Sequence, residues 1–599
     1  MVLRLGVMKP RLILVGRYYL IEPLGILYLL GLARSLGWEC RVVLVRDGDF
    51  TPLYEELASF GPSLVGFSVW TGGHAAYFAA CDRVRSAGVG VVIGGPHATY
   101  FTADCAAHAD WVVKGEGFRT FRRILQGELG PGSHFDEERM AEGFPQPDRA
   151  LLYDRYPALA QSPIKSIFCS VGCPFHCSYC YAPSYNAMYG GFALNLRPVD
   201  DIVREALAIR ERWPLAMVYM QDDIFGFNIP WLREFVRAWR ERVGVPWHCQ
   251  IRLELTRDEE RLALFREGGC TGITLAIESG NDFLRRYVLL RPMSDELIVE
   301  GTRKVKAQGL SLRTQQILAV PFSDIETDLE SLALNNRIQP DIAWSSILAP
   351  YLGTSMGAIA HDFGLYEGNN DDLDESFFSR SVLRATAGGR AAIEPVVRAA
   401  TRSPQDNPLQ RMAVKPAGGR RAAVYVKDPA FNRVLPGASP VCEIEYLDPA
   451  AEDLYRDQTV ALQRLFQWLA RVPEGHRLGA RWVQLAKPER TWARLGELTL
   501  EHLREQGLGE RVEGWREAVA RGFAEAGSAA PEGLWENPYY FFFLPSGVEF
   551  ARSLAGSGFF EASEPGARFD ALGFATRQWL YDRALYKLTP AEAPLAAAE

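Results

Sequence analysis

The sequence lacks a long apolar run, an excess of positive charge and the cysteine density of a disulfide-rich protein. Its most apolar early stretch, 12–36, is interrupted by Arg17, Glu22, Pro23 and Arg34, well short of the ~20 apolar residues of a membrane span, and no signal peptide is evident. The net charge of −8 argues against a general nucleic-acid binder. Ten cysteines in 599 residues do not suggest a disulfide framework, so we expect a cytoplasmic protein without a membrane or nucleic-acid partner.

What is present is a long chain with the apolar content of a well-packed protein. Its 599 residues, 48% of them hydrophobic, predict three or four domains at about 150 residues each. We expect a first domain over 1–135, a proline-marked linker over 136–163 and a second domain over 164–356. The periodicity weakens over 357–599, where we expect a largely helical lid that contributes to the substrate site.

Three cysteines lie close together, at Cys173, Cys177 and Cys180. This spacing lets one loop supply three thiolates to an Fe4S4 cluster, and because such a cluster takes four ligands, one iron stays open to a substrate. A zinc site or buried thiols are the alternatives, although zinc usually takes paired C-x-x-C knuckles and a fourth ligand. Cys169 precedes this spacing, and we interpret it as a strand thiol.

The cysteine spacing, with Tyr179 just before the last cysteine, resembles the signature of radical S-adenosylmethionine (SAM) enzymes. In that family the open iron chelates the amino and carboxylate groups of SAM. The position of Tyr179 packs near the SAM adenine in the family, although an aromatic side chain there can equally shield the cluster. The resemblance also implies an external electron donor of the flavodoxin or ferredoxin type.

Strands alternate with helices in the first 135 residues, which predicts a doubly wound parallel sheet with ligands beyond the carboxyl ends of its strands. Four turns at that edge, in their order along the chain, resemble the cobalamin-binding domain found upstream of many radical SAM domains. They contain Pro23, Leu24 and Gly25; Ser68, Trp70 and Thr71; Gly94, Gly95, Pro96 and His97; and Gly115, Glu116 and Gly117. A Rossmann-like domain that has lost its ligand is the alternative.

One motif of some cobalamin domains is missing. D-x-H-x-x-G supplies a histidine to cobalt, and the nearest stretch here, 47–50, has no histidine. We therefore expect cobalt to bind without a protein imidazole. In the family the segment at 68–71 passes under the corrin, where Trp70 would exclude water from cobalt; alternatively Trp70 is a core residue at a strand end.

Residues 198–356 repeat the strand and helix pattern. Five predicted strands, with the one before the cysteines, resemble the partial (β/α)6 barrel of radical SAM enzymes, whose active site lies at the carboxyl ends of the strands. The residues at those ends are the candidates for SAM: Asp222 or Asp223 for the ammonium, Arg252 for the carboxylate, Glu278 for the ribose and Val320 behind the adenine. Taken singly, each charged one can equally be a surface or salt-bridge residue.

The resemblance implies an α/β protein with a Rossmann-like cobalamin domain, a TIM-like barrel and a mostly helical C-terminal domain. Its expected function is a methyltransferase that moves a methyl group from SAM via methylcobalamin to an unactivated carbon, or phosphorus, of a small-molecule natural-product substrate. Ring contraction, cyclisation, oxidation, nonradical methylation of an aromatic carbon and a cobalamin sensor or carrier stay open. We expect a monomer.

Overall fold

Two parallel six-stranded sheets organise the N-terminal and central parts of the chain, and an antiparallel sheet with a helical bundle follows. The computed structural model describes residues 9–19, 21–138, 144–403, 406–428, 430–530, 534 and 547–556. Among these residues, no helix is both long and apolar enough to cross a membrane.

The first sheet is built from short aliphatic runs that are buried on both faces, as parallel strands require. Its strands are β1 (Arg11–Arg17), β2 (Glu39–Val45), β3 (Leu64–Ser68), β4 (Gly90–Gly94), β5 (Trp111–Lys114) and β6 (Gly132–Phe135). Its helices are α1 (Leu24–Ser35), α2 (Thr51–Phe60), α3 (His74–Ser86), α4 (Pro96–Tyr100), α5 (Thr102–Ala106) and α6 (Gly117–Leu125).

The strand order is β2-β1-β3-β4-β5-β6, so the direction of winding changes between β1 and β3. The crevice beyond the carboxyl ends of strands at such a point is where open parallel sheets bind ligands. The Rossmann-like prediction is confirmed. Of the six strands, only β6 was not predicted from the sequence. It is a short edge strand with two exposed residues and no apolar run.

The segment predicted as a linker contains two short helices, α7 (Arg149–Arg155) and α8 (Pro157–Gln161). Asp148 caps α7 by accepting from the Leu151 N–H, and Pro157 is tolerated at the start of α8 because that position needs no amide donor. Leu152, Tyr153 and Leu159 are buried against one face of the first sheet. Both helices therefore dock on the first domain, and Pro157 marks the start of the second one.

The second sheet forms an open, partial barrel. Its region contains the strands β7 (Ile164–Ile167), β8 (Ser170–Val171), β9 (Asn195–Leu196), β10 (Met217–Met220), β11 (Trp247–Ile251), β12 (Cys270–Glu278), β13 (Ser311–Leu318) and β14 (Ile342–Ile347). The helices are α9 (Ala182–Met188), α10 (Val199–Arg212), α11 (Ile229–Ala238), α12 (Glu259–Glu267), α13 (Asp295–Ala307), α14 (Ile325–Ile338) and α15 (Ser355–Asp362). The parallel order is β14-β13-β12-β11-β10-β7, and β8 pairs with β9 apart from it, so the predicted partial barrel is confirmed.

The C-terminal region is mostly helical, as predicted, but it also contains an antiparallel sheet that the sequence did not reveal. Its strands, in the order β15-β18-β17-β16, are β15 (Thr386–Ala387), β16 (Met412–Gly418), β17 (Arg421–Val426) and β18 (Cys442–Tyr446). The helices are α16 (Gly389–Ala400), α17 (Pro449–Leu469), α18 (Gly475–Gln484), α19 (Trp492–Glu505), α20 (Gly509–Glu525) and α21 (Gly547–Gly556). The strands escaped notice because four of the seven residues of β16 are exposed, which hides the apolar alternation.

Helix α17 covers the free edge of β14. Ser345 Oγ donates to the Gln463 carbonyl at 3.3 Å, and Gln463 Nε2 donates to the Ser345 carbonyl at 3.1 Å. An uncovered strand edge is open to pairing with other chains, so this contact protects the sheet. The bundle thus closes one side of the barrel.

Candidate functional site

The loop that contains the three cysteines starts at the carboxyl end of β7 and is held from both sides. Asp222, at the end of β10, accepts from the Cys169 N–H at 3.0 Å and from Ser170 Oγ at 2.5 Å. Asn186 on α9 donates to the Cys173 carbonyl at 2.8 Å. Asp222 is 1% exposed and its carboxylate holds the loop, so it is the less accessible of the two carboxylates predicted as alternatives for the SAM ammonium.

Cys173, Cys177 and Cys180 are free thiols. Burial, with a smaller contribution from the charge of Cys177, raises the pKa of Cys173 to about 11 and that of Cys180 to about 12. Cluster assembly must therefore displace their protons. No group of three or more His, Cys, Asp or Glu side chains in the described ranges is arranged to hold a single metal ion.

Cys169 differs from these three cysteines. It is fully buried, and its sulfur contacts Met220 Sδ at 3.6 Å on the neighbouring strand β10. Cys169 lies between β7 and β8, so it is a buried thiol packed against a strand but not within one.

Two arginines donate to the sulfur of Cys177. Arg252, at the end of β11, does so at 2.9 Å, and its other nitrogens pair with Glu254. Arg291 donates to the same sulfur at 3.5 Å and to Tyr179 Oη at 3.3 Å. Guanidinium donors stabilise negative charge on sulfur, so this environment fits a cluster ligand. The sequence did not single out Arg291; a charged residue within the apolar stretch 287–293 was its only signal.

Tyr179 and Glu278 meet in the same place. Tyr179 Oη donates to Glu278 Oε1 at 2.5 Å. Burial raises the pKa of Glu278, against the lowering effect of Arg291. Glu278 lies at a bulge in β12 with a φ of +71°, a strained conformation of the kind that clusters at functional sites. Val320 is buried in the apolar cluster against which Tyr179 packs.

Asp223 is the carboxylate at this edge that stays open. Its side chain is exposed, while Asp222 beside it is buried. Desolvation by the surrounding protein raises the pKa of Asp223, against the lowering effect of a hydrogen bond from the Gly172 N–H. A side chain that is exposed to solvent yet surrounded by protein atoms is typical of a residue that lines a cleft.

The predicted cobalamin edge of the first sheet is made of tightly packed backbone. Val69 N donates to the Gly94 carbonyl at 2.9 Å, and Gly95 has a φ of +97°. A Cβ on Gly95 would lie 2.8 Å from the Val69 carbonyl oxygen, so only glycine fits there. Ser68 ends β3 beside this turn, and Pro96 begins α4.

His97 was predicted to contact cobalamin, but it is fully buried. Its Nδ1 lies 2.9 Å from Thr71 Oγ1, and its ring stacks on His74 with centroids 4.3 Å apart. Burial, and then His74, lower the pKa of His97 to about 4, so this ring is neutral at physiological pH. Packing against α3 turns this ring into the domain.

Trp70 follows β3 and is half-buried. Its ring meets Tyr77 edge-on with centroids 4.9 Å apart, and the Arg17 guanidinium lies 5.2 Å from its centroid. Its indole Nε1 is buried without a hydrogen-bond partner. A buried donor of this kind is unusual, and it marks the end of β3 as a place where a ligand would supply an acceptor.

The first and last turns of this edge differ in the space around them. The turn of Pro23, Leu24 and Gly25 starts α1, and no atom lies within 4 Å of where a Cβ on Gly25 would stand. Gly115, in contrast, would bring a Cβ to 2.4 Å from Tyr189 Oη, which also accepts from the Glu116 N–H. The turn at 115–117 therefore packs against the cysteine region, whereas the turn at 23–25 is open.

The carboxyl ends of the two sheets face each other. Tyr100, which ends α4, stacks on Tyr181, the residue after Cys180, with centroids 3.8 Å apart and an interplanar angle of 11°. Ser184 on α9 donates to the Gly353 carbonyl in the turn after β14 at 2.8 Å. The predicted cobalamin edge and the cysteine loop thus share one cleft.

A buried ionic network fixes this arrangement. Glu205 accepts from Arg149 at 2.6 Å and from Arg197 at 2.8 Å, and Glu22 contacts Arg149 at 3.4 Å. All four side chains are at most 5% exposed. They join the first sheet, the segment after it and the barrel, so the relative position of the two edges is set by charges that cannot be left unpaired.

A separate cavity of about 460 Å³ lies in the C-terminal region, between α15 and the antiparallel sheet. Its lining includes Arg384, Arg421 and Tyr446, and none of the three loop cysteines. The chemistry-bearing side chains are at the cleft, and we place the candidate site there.

Comparison with known proteins gives two family matches. The B12 binding domain matches residues 10–125, and the Radical SAM superfamily matches residues 167–333. Both matches include the carboxyl edges described above.

Curated relatives match at low identity. An uncharacterized methyltransferase of Pyrococcus horikoshii is 24% identical over 56% of this chain and 77% of its own length. The cytidylyl-2-hydroxyethylphosphonate methyltransferase of Streptomyces wedmorensis is 26% identical over 50% of this chain and 69% of its own length. A solved cobalamin-dependent SAM radical enzyme, OxsB, with aqua-cobalamin bound, has the same fold, with a TM-score of 0.50 at 14% identity over 96% of this chain and 84% of that one.

Proposed function

We propose, for a chain that belongs to the cobalamin-dependent radical SAM enzymes of the methyltransferase type, that it transfers a methyl group from SAM to an unactivated carbon of a small molecule. The substrate class is a natural-product intermediate. An external one-electron donor of the flavodoxin or ferredoxin type would supply reducing equivalents.

One observation carries this proposal. Tyr100, on the helix that begins at the Gly95 turn, stacks on Tyr181 beside Cys180. Cofactors held at the two edges would therefore open into one cleft, and transfer between reactants needs such proximity. A protein that only senses or carries cobalamin would need no thiol loop at this place.

The groups that the two domains use are cobalamin, an Fe4S4 cluster and SAM, and together they supply methyl transfer and the hydrogen-atom abstraction that an inert C–H bond requires. Cys173, Cys177 and Cys180 would hold the cluster. The unpaired Nε1 of Trp70 and the open space at Gly25 fit a corrinoid at the other edge.

The barrel edge offers complementary charge for SAM. Asp223 is the exposed carboxylate for the ammonium group, since Asp222 holds the loop. Arg252 can share its guanidinium between Glu254 and the SAM carboxylate. Glu278 is an acceptor for ribose hydroxyls, with Tyr179 and Val320 on the apolar side.

The names of the relatives support carbon as the acceptor. Two bacteriochlorophyllide d methyltransferases of Chlorobaculum tepidum are named for positions C-12(1) and C-8(2), and a hopanoid C-2 methylase of Rhodopseudomonas palustris also matches. These identities are 25%, 23% and 24%, so the substrate itself does not carry over to this chain.

Anaerobic reconstitution with iron, sulfide and cobalamin, followed by SAM and a low-potential reductant, tests the proposal. We expect both 5′-deoxyadenosine and S-adenosylhomocysteine, because methyl donation and radical formation each consume SAM. Deoxyadenosine alone would indicate non-methylating radical chemistry, and S-adenosylhomocysteine alone would indicate nonradical methylation. If neither product forms, the proposed function is overturned. Omission of the reductant is the control for background hydrolysis.

A further inference from the structure

Arg291 is a buried cation without a carboxylate partner. It is 2% exposed, and no carboxylate oxygen in the described part of the chain lies within 4.0 Å of its guanidinium nitrogens, whereas Arg252 pairs directly with Glu254. Its hydrogen bonds go to two uncharged oxygens and one sulfur, and its Nε is buried without a partner. Glu278 and Glu254 act on this charge only from beyond direct contact. Burying a charge without a directly paired counter-ion is costly, so a buried arginine in this state is arranged for an anion.

The chain is shaped to hold Arg291 in this position. Leu284–Val288 forms a π-helical turn, and Leu290 has a φ of +54°, which reverses the chain into the interior. The same turn anchors the cysteine loop, because Ser178 N donates to the Leu289 carbonyl at 3.2 Å and Ser178 Oγ to the Val288 carbonyl at 2.5 Å. Backbone strain at a bulky residue persists only where the surroundings impose it. The position of Arg291 relative to Cys177 is therefore fixed through Ser178.

We propose that Arg291 is a positioning residue that acts through the sulfur of Cys177 to raise the reduction potential of the iron–sulfur cluster. This inference rests on the proposed function, since it requires a cluster on the three cysteines. Hydrogen bonds to sulfur and net charge are two of the properties that set such potentials.

The sign follows from charge. One electron passes from the external donor to the cluster, no bond forms or breaks, and one negative charge is added beside Arg291. A buried guanidinium stays protonated and stabilises that added charge, while water cannot screen it. Arg252 contacts the same sulfur, but its pairing with Glu254 neutralises much of its charge.

The test is a redox titration of the full-length, cluster-loaded protein without SAM. The EPR signal of the reduced cluster measures the fraction reduced at each potential. We expect Arg291→Gln to lower the equilibrium constant for reduction at least tenfold, which is a shift of about 59 mV to lower potential for one electron. The matched control is Arg285→Gln. Arg285 is fully buried near the same turn, but its hydrogen bonds go to aspartate carboxylates, among them Asp295, and to backbone carbonyls instead of to a cysteine.

Each outcome decides between the two proposals. A wild-type protein that holds no Fe4S4 cluster overturns the proposed function and this inference with it. A loaded wild type with the same potential as Arg291→Gln, or an equal shift in Arg285→Gln, overturns only the role of Arg291. If Arg291→Gln does not fold, Arg291→Met serves instead: its uncharged side chain should also lower the potential, and an unchanged potential would overturn the inference.

Discussion

The carboxyl edges of the two parallel sheets have the same architecture and opposite chemistry. At the first sheet the turns present backbone atoms and glycines. His97 there is neutral because burial lowers its pKa to about 4. At the barrel the corresponding positions hold buried ionisable groups, among them Asp222, Arg252, Glu278 and Arg291.

This difference matches what each edge is proposed to bind. A corrinoid is large, and close approach of backbone gives contact area without charge, whereas SAM is zwitterionic and needs charged partners. Buried charges are costly unless paired, and the barrel pairs them with one another and with the cysteine loop. The barrel edge should therefore be the more sensitive of the two to loss of a charged or metal-binding group.

The largest expected effect is at the cysteine loop. Cys177→Ala should abolish cluster binding, and with it deoxyadenosine formation, because one of three local ligands is lost. Corrinoid retention should be unchanged, since it belongs to the other edge. Iron and sulfide content and the visible spectrum of the bound corrinoid measure the two separately.

Cys169→Ala is the matched control for that variant. Its sulfur lies against Met220 in the strand layer, so the substitution should leave iron content unchanged and cost about 1–2 kcal/mol of unfolding free energy. Loss of the cluster in Cys169→Ala would mean that Cys173, Cys177 and Cys180 are not the ligand set.

The next effect is at the first edge. Gly95→Ala should lower the free energy of unfolding by about 1–3 kcal/mol, because the new Cβ meets Val69 backbone atoms at 2.8 and 2.9 Å with φ at +97°. Corrinoid retention should fall as well, with cluster content unchanged. Thermal unfolding and spectrophotometric titration with cobalamin would measure both.

Gly130→Ala is the companion control, because no atom lies within 4 Å of its added Cβ and its φ is not in the left-handed region. Equal losses in Gly95→Ala and Gly130→Ala would remove the argument from close backbone packing.

The smallest effect is a pH dependence at the barrel edge. Asp328 on α14 accepts from the Ala319 N–H at 3.3 Å and from Tyr455 Oη at 3.1 Å. Burial raises its pKa from 3.8 to about 7, against these two lowering hydrogen bonds. The folded state therefore binds more protons than the unfolded state between those values, so the contribution of Asp328 to stability is present at low pH and lost as pH rises toward 7.

Asp328→Asn removes that titration. Between pH 5 and 7 its unfolding free energy should fall less steeply than that of the wild type, by at most about 1.4 kcal/mol per pH unit. Urea unfolding at several pH values gives both slopes, and their difference isolates Asp328 from other titrating groups. Parallel slopes would contradict the raised pKa.

The features that could be predicted from the sequence are those encoded by a few consecutive residues. Strands β1 and β3 are mostly aliphatic and aromatic runs that end in a polar residue. The cysteine spacing and the polar residues after β10, β11 and β12 are likewise local, and the structure brings Cys177, Tyr179, Arg252 and Glu278 together at one edge.

What failed or was missed depends on partners far along the chain. Asp222 and Asp223 are adjacent in sequence, yet only the fold decides that the first holds the cysteine loop and the second is open. His97 faces inward because α3 lies behind it.

The sequence by itself determined two parallel sheets, their strand ends and the trio of thiols, because apolar runs and ligand spacing act over a few residues. Only the tertiary structure decided which charges are neutralised, that Arg291 lies beside Cys177 without a directly paired carboxylate, and that Tyr100 joins Tyr181 across the cleft. Electrostatic free energy depends on distance and burial, and those are set when distant segments pack together.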